Sequence, residues 1–130
     1  MYLRSRLLTD DNLLLVTLDE PTGTEQRAAL ADAVDQLVRE HQPAGLVLTL
    51  GPAAGTAAAV SVVLRTYRHW AALPMAVATP PAAVRYQIRA NQPALPVHTG
   101  TEDALSTVRT LLRRHTATGP ARTAGPGARR

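Results

Sequence analysis

The sequence predicts a single α/β domain with an N-terminal hairpin and a mixed, mostly parallel sheet of four or five strands. Three observations favour this fold class. Short apolar stretches alternate with segments of helical periodicity throughout residues 1–115. Residues 44–50 form an apolar run of the kind found in strands that are buried on both faces. Strands that alternate with helices along a chain imply βαβ crossovers, and such crossovers produce parallel sheets.

Two apolar stretches near the N-terminus predict the antiparallel part of the sheet. They cover residues 2–8 and 12–18 and are separated by Thr9, Asp10 and Asp11. Because Asp tolerates the backbone conformations of tight turns, the two stretches are expected to pair as a hairpin.

The first helix is predicted over residues 25–41, where apolar residues recur at helical spacing. Thr22 and Glu25 have the spacing of a capping box, in which a hydroxyl and a carboxylate satisfy N–H groups at the start of a helix. Pro43 is expected to end the helix because it has no N–H to donate.

The remaining segments continue the alternation and complete the order β-β-α-β-α-β-α-β-α. In chain order they are a strand at 44–50, a loop at 51–56, a helix carrying Val60, Val63, Leu64 and Tyr67, a strand at 73–78, a short helix opened by Pro80 and Pro81, a strand at 94–97, and a helix carrying Leu105, Val108, Leu111 and Leu112.

The charge is concentrated at the C-terminal end. The formal net charge is +4, and residues 116–130 contribute +3 of it through Arg122, Arg129 and Arg130. This Arg-, Gly- and Pro-rich segment has no large apolar residue and is predicted to be a disordered tail after a domain at 1–115. The domain itself is close to neutral and lacks interleaved aromatics, so we expect no direct binding of nucleic acid.

Composition excludes several classes of function. The chain has no Cys, which rules out thiol catalysis and Cys-based zinc sites. Its four histidines (His41, His69, His98 and His115) lack metal-ligand spacing, so no metal or cofactor is expected. The chain has neither a signal segment nor an apolar run long enough for a membrane span, so we expect a cytoplasmic protein. We also expect it to have no catalytic activity.

Several segments carry a resemblance through their order and spacing. They are the strand 46–50, the helix 60–68, the Pro-containing turn and helix at 77–85, and the closing strand 95–97 with the helix start 101–105. In this order the chain resembles the STAS domain of bacterial anti-sigma factor antagonists and sulphate transporters. The resemblance covers about residues 2–112.

The chain departs from the family pattern at the functional turn. Residues 56–59 read Thr-Ala-Ala-Ala where the family has an Asp-Ser-Ser-Gly-like turn, so Ala57 or Ala58 replaces the phosphorylatable Ser. Thr56 has two open interpretations: an N-cap whose hydroxyl binds the backbone, or a phosphoacceptor. Ser61 is expected to serve packing within the helix.

The resemblance implies a non-catalytic protein-interaction module. In the family, the unphosphorylated antagonist binds an anti-sigma factor, a GHKL-type serine kinase, and phosphorylation releases it. Without the Ser, binding is expected to be constitutive, or its regulation lost. The expected contact surface comprises Gly51, Pro52, Ala53, Ala54, Gly55, Thr56, Ala57 and Ala58.

Two other functions stay open at this point. The chain is alternatively a STAS-type subunit or scaffold of another complex, or a small protein that binds a nucleotide or other ligand at the Gly51–Gly55 loop. Tyr67 and Trp70 lie three residues apart on the second helix and serve either the core or a partner contact.

Overall fold

The computed structural model describes residues 3–122 and, in the last helix, the side chains as far as Arg114. Its elements follow the predicted order, with a short 3-10 turn (Thr24–Gln26) before the first helix. The strands are β1 (Leu3–Leu8), β2 (Leu13–Leu18), β3 (Gly45–Leu50), β4 (Met75–Ala78) and β5 (Val97–His98). The helices are α1 (Arg27–His41), α2 (Ala57–His69), α3 (Ala82–Asn91) and α4 (Thr101–Arg122).

All five strands form one sheet whose spatial order, β1-β2-β3-β4-β5, repeats the chain order. β1 and β2 pair antiparallel, with Leu8 opposite Leu13 at the turn, which confirms the predicted hairpin. The later pairs are parallel, as expected from the βαβ alternation. Because every crossover advances in the same direction, the right-handed rule places α1, α2 and α3 on one face of the sheet.

The alternation of side chains along each strand divides the core in two. Leu46, Leu48 and Leu50 of β3 join the cluster formed with α1, α2 and α3, whereas Val47 joins the smaller cluster under α4. Successive side chains of a strand point to opposite faces, so a central strand covered on both sides is mostly apolar, and Thr49 is the one polar residue of β3. This explains the apolar run that predicted β3.

α4 packs directly on the start of β3. A Cβ built on Gly45 would lie 2.5 Å from Cγ1 of Val108 and 2.9 Å from Cδ2 of Leu13. Only a glycine leaves room for the helix at this distance. Within residues 3–122, no helix combines the length and the apolar character that crossing a bilayer requires.

The predicted capping box at Thr22 and Glu25 is wrong. The 3-10 turn is capped by Gly23, whose N–H donates to Oε1 of Gln26 at 3.1 Å while the Gln26 N–H donates to the Gly23 carbonyl at 3.0 Å. The turn begins one residue later than expected, so Gln26 takes the place of Glu25. Thr22 is left buried, with 2% of its surface exposed.

Two boundaries also differ from expectation. The last strand occupies Val97–His98 rather than 94–97, because Leu95 is still in a turn, its N–H donating to the Gln92 carbonyl, and Pro96 has no N–H. The backbone of α4 continues past the expected domain end at residue 115 as far as Arg122. Residues 123–130 lie outside the described residues, and for them the disorder stays a prediction.

Candidate partner-binding site

The loop between β3 and α2 lies at the carboxyl edge of the parallel strands, where α/β sheets usually build their binding sites. The Gly51 N–H donates to the Leu18 carbonyl at the end of β2, with a distance of 2.8 Å. Two tight turns follow, closed by the Ala54 N–H on the Gly51 carbonyl and the Thr56 N–H on the Ala54 carbonyl. These bonds hold the loop close to the sheet edge.

The structure sorts the eight residues of the expected contact surface by exposure. Ala54 and Ala58 are buried and belong to the packing of the loop. Gly51, Gly55 and Thr56 are partly exposed, while Pro52, Ala53 and Ala57 are exposed. The exposed part of this segment is therefore made mainly of backbone, one proline ring and methyl groups.

Thr56 is the N-cap of α2, as one of its two interpretations predicts. Its backbone is extended, at φ −71° and ψ 164°. Its Oγ1 accepts from the Ala59 N–H at 3.1 Å and donates to the Thr22 carbonyl at 2.8 Å. The hydroxyl proton is thus bonded to the backbone of Thr22, in the segment before α1 and 34 residues away in the chain. A phosphoryl group on this oxygen would abolish the donation to Thr22.

The start of α2 carries no acidic side chain in its first turn. The Ala59 and Val60 N–H groups are taken by the Oγ1 and the carbonyl of Thr56. The N–H groups of Ala57 and Ala58 stand earlier in the helix, among the four that have no intrahelical acceptor. Together with the helix dipole they form an electropositive end that favours an anionic group.

α3 extends the site beside the loop, which sequence analysis did not anticipate. A Cβ built on Gly55 would lie 2.7 Å from Cγ2 of Val84, so Gly55 is the point where α3 approaches. On the solvent side of the same helix Tyr86 is 75% exposed. The signal in the sequence was weak, because neither a lone glycine nor a lone tyrosine indicates its neighbours across the fold.

Between α1 and α2 lies a buried carboxylate that the sequence did not single out. Both guanidinium NH2 groups of Arg65 donate to Asp35 at 2.7 Å, and Nε1 of Trp70 donates to Oδ1 of Asp35 at 3.0 Å. The hydrogen bonds from Arg65 hold the pKa of Asp35 below its ordinary value, although burial acts in the opposite direction. Trp70 and Tyr67 also pack against the core cluster.

The three histidines whose side chains are described belong to three different elements. His41 and His69 lie in the last turns of α1 and α2, and Nε2 of His98 lies 2.8 Å from the Thr107 hydroxyl. The side chain of His115 lies outside the described ones. Among the described side chains no three His, Cys, Asp or Glu residues come together as a metal site would require.

Comparison with solved structures identifies the fold. No protein-family model matches the chain, and no curated protein matches it in sequence. Among solved structures, RsbS of Moorella thermoacetica, in a variant with Glu in place of a Ser, superposes with a TM-score of 0.65. The match covers 85% of this chain and 98% of that one, at 15% identity. The fold is STAS-like.

The STAS-like fold confirms what motif order implied about architecture. It includes the N-terminal antiparallel hairpin, the five-stranded sheet and the four helices. The loop 51–56 and the start of α2 therefore occupy, in a STAS-like frame, the carboxyl edge of the third strand.

Proposed function

We propose that this protein is a non-catalytic interaction module of the anti-sigma factor antagonist type that binds its partner, a GHKL-type serine kinase or another protein, without control by phosphorylation. The contact surface consists of the loop 51–56, the first turn of α2 and the adjoining face of α3. The proposal combines the STAS-like fold with the chemistry of this surface.

The observation that carries the proposal is that the start of α2 has no free hydroxyl group at Thr56 or Ala57. Ala57 has no hydroxyl, and the Thr56 hydroxyl both caps the helix and donates to Thr22 at 2.8 Å. A serine that is phosphorylated at this position would need an exposed side-chain oxygen that is free of hydrogen bonds to the backbone. The two residues that stand at this turn offer a methyl group and an engaged hydroxyl, which supports binding that phosphate does not interrupt.

The chemistry of the surface indicates what the partner contributes. The exposed groups are small, so a partner surface approaches the backbone closely, and the electropositive end of α2 accepts a carboxylate. A partner with an acidic side chain matches this surface.

The test is affinity capture with three baits: the parent chain, Ala57→Glu and Ser106→Glu. Ser106 is exposed on α4, on the other face of the sheet, and serves as the matched control. A GHKL-type kinase should be enriched by the parent and by Ser106→Glu. Ala57→Glu should weaken its binding by a factor of about 30 or more, because a like charge at a desolvated contact costs about 2–5 kcal/mol.

Intact-mass measurement of the parent chain after incubation with the captured kinase and ATP completes the test. The mass should be unchanged. A phosphate that maps to Thr56 would contradict the proposal and make Thr56 the switch residue. Equal capture by the parent and Ala57→Glu would place the interaction on another surface, as in a STAS-type scaffold.

A further inference from the structure

The sheet has one long edge strand. β1 lies at one end of the spatial order and covers six residues, whereas β5 at the other end covers two. Within residues 3–122 no strand pairs with the outer side of β1. Because an edge strand presents unpaired N–H and C=O groups, β1 is the part of the sheet that is open to pairing with another chain.

The side chains of β1 alternate between the two faces of the sheet. Leu3 and Leu7 pack against the cluster formed with α1, α2 and α3, and Leu8 packs against the cluster under α4. Because successive side chains of a strand point to opposite faces, Arg4 and Arg6 lie on the same face as Leu8. Both arginines are exposed, and they line an open trough of about 530 Å³ on this face.

Two copies of an edge strand can pair antiparallel around a two-fold axis perpendicular to the sheet. Residues that stand opposite each other share a face, so an even-numbered residue of β1 meets an even-numbered one. At most five residues of β1 can pair in this way, and they do so in two registers. The first register sets Leu3 opposite Leu7. In it, Arg4 of each copy stands opposite Arg6 of the other. The second register sets Arg4 opposite Leu8, and the two Arg6 side chains then stand opposite each other.

Both registers therefore place guanidinium groups of like charge next to each other. Directly opposite side chains have Cβ atoms about 4.5–5.5 Å apart, and like charges in such positions destabilise the pairing. Asp19 accepts from Nε of Arg4 at 2.7 Å and offsets part of the charge. Arg6 takes part in none of the ion pairs among the described side chains, and its cross-strand neighbour is Leu15. A net positive charge remains at the junction in either register.

We propose that Arg4 and Arg6 prevent the β1 edge from pairing with the β1 edge of a second copy. The rest of the strand favours the pairing that the arginines oppose, because the first register sets Leu3 opposite Leu7 on the face that the helices cover. At the other end of the sheet, the two-residue length of β5 gives the same protection. The inference does not depend on the proposed function, since no residue of β1 belongs to the proposed contact surface.

The test replaces both arginines by threonine, which is neutral and suits a strand. Sedimentation equilibrium of the full chain compares the parent with Arg4→Thr/Arg6→Thr. The parent should stay at its monomer mass of 13.8 kDa. The variant should approach twice that mass, with a dimer dissociation constant at least about tenfold lower. The matched control is Arg39→Gln/Arg68→Gln, which removes the same charge from exposed positions on α1 and α2 and should leave the mass unchanged.

An exchange of charge locates the association. Arg4→Glu/Arg6→Glu should stay a monomer, because glutamates then stand opposite each other in both registers. An equimolar mixture of this variant with the parent should form a dimer, because arginine meets glutamate in either register. All of these changes are at exposed positions, so they leave the core intact. A threonine variant with the mass of the parent, a control that associates as strongly as the threonine variant, or a mixture without dimer would each overturn the proposal.

Discussion

Replacing Thr56 by valine removes the hydroxyl that connects the start of α2 to Thr22, in the segment before α1. The change keeps the branched shape of the side chain. Two hydrogen bonds disappear: the one from the Ala59 N–H at 3.1 Å and the one to the Thr22 carbonyl at 2.8 Å. Loss of an N-cap costs about 0.5–2 kcal/mol, and an internal hydrogen bond contributes about 1 kcal/mol. We therefore expect Thr56→Val to lower the free energy of unfolding by about 2 kcal/mol.

Thr56→Ser is the matched control. Serine retains the oxygen and its proton, and it caps helices about as well as threonine. It should stay within about 0.5 kcal/mol of the parent. Urea unfolding followed by far-UV circular dichroism measures the difference, and thermal melts should show a decrease of about 10 °C in Tm for Thr56→Val.

The comparison of the two variants tests the geometry of the site as well as its stability. If Thr56→Val unfolds at the same urea concentration as the parent, the hydroxyl is not bonded as described, and it is then available as a phosphoacceptor. If Thr56→Ser loses as much stability as Thr56→Val, the methyl group and not the hydroxyl is responsible. Either result would refute the reasoning that Thr56 is committed to the backbone.

Four further outcomes are expected. Arg65→Met should cost more stability than Asp35→Asn in urea unfolding. The first change leaves a carboxylate that is 4% exposed without its charged partner, whereas the second leaves a guanidinium that is 38% exposed without its partner. The reverse order of stability would contradict this reasoning. Since folding lowers the pKa of Asp35 from its ordinary value of 3.8, the stability that this carboxylate contributes is present above that value and is lost as the pH falls through the lower pKa of the folded state. The parent should therefore lose more stability in acid than Asp35→Asn. Gly45→Ala should cost about 1–3 kcal/mol by crowding Val108, while Gly100→Ala, where an added Cβ meets nothing within 4 Å, should cost less than Gly45→Ala in the same assay. Deleting residues 117–130 should change Tm by less than about 2 °C in a thermal melt, and a larger drop would mean that this segment packs.

Much of the architecture was predictable because it depends on local pattern. Apolar runs bounded by turn residues predict the strands, helical periodicity predicts the helices, and their alternation predicts the parallel sheet with little further information. The N-cap role of Thr56 was also within reach, since a threonine before an apolar helical segment is a common start signal. At the first helix the same kind of signal failed, because Gly23 and Gln26 form the cap at a register one residue later than Thr22 and Glu25.

The sequence by itself determined the order of the elements, the apolar character of β3 and the absence of a hydroxyl at positions 57 and 58. Only the tertiary structure decided which groups meet: Thr56 with Thr22, Gly55 with Val84, and Asp35 with both Arg65 and Trp70. These partners are 29 to 35 positions apart and meet through the packing of the helices and their loops, and no local periodicity encodes such a pairing.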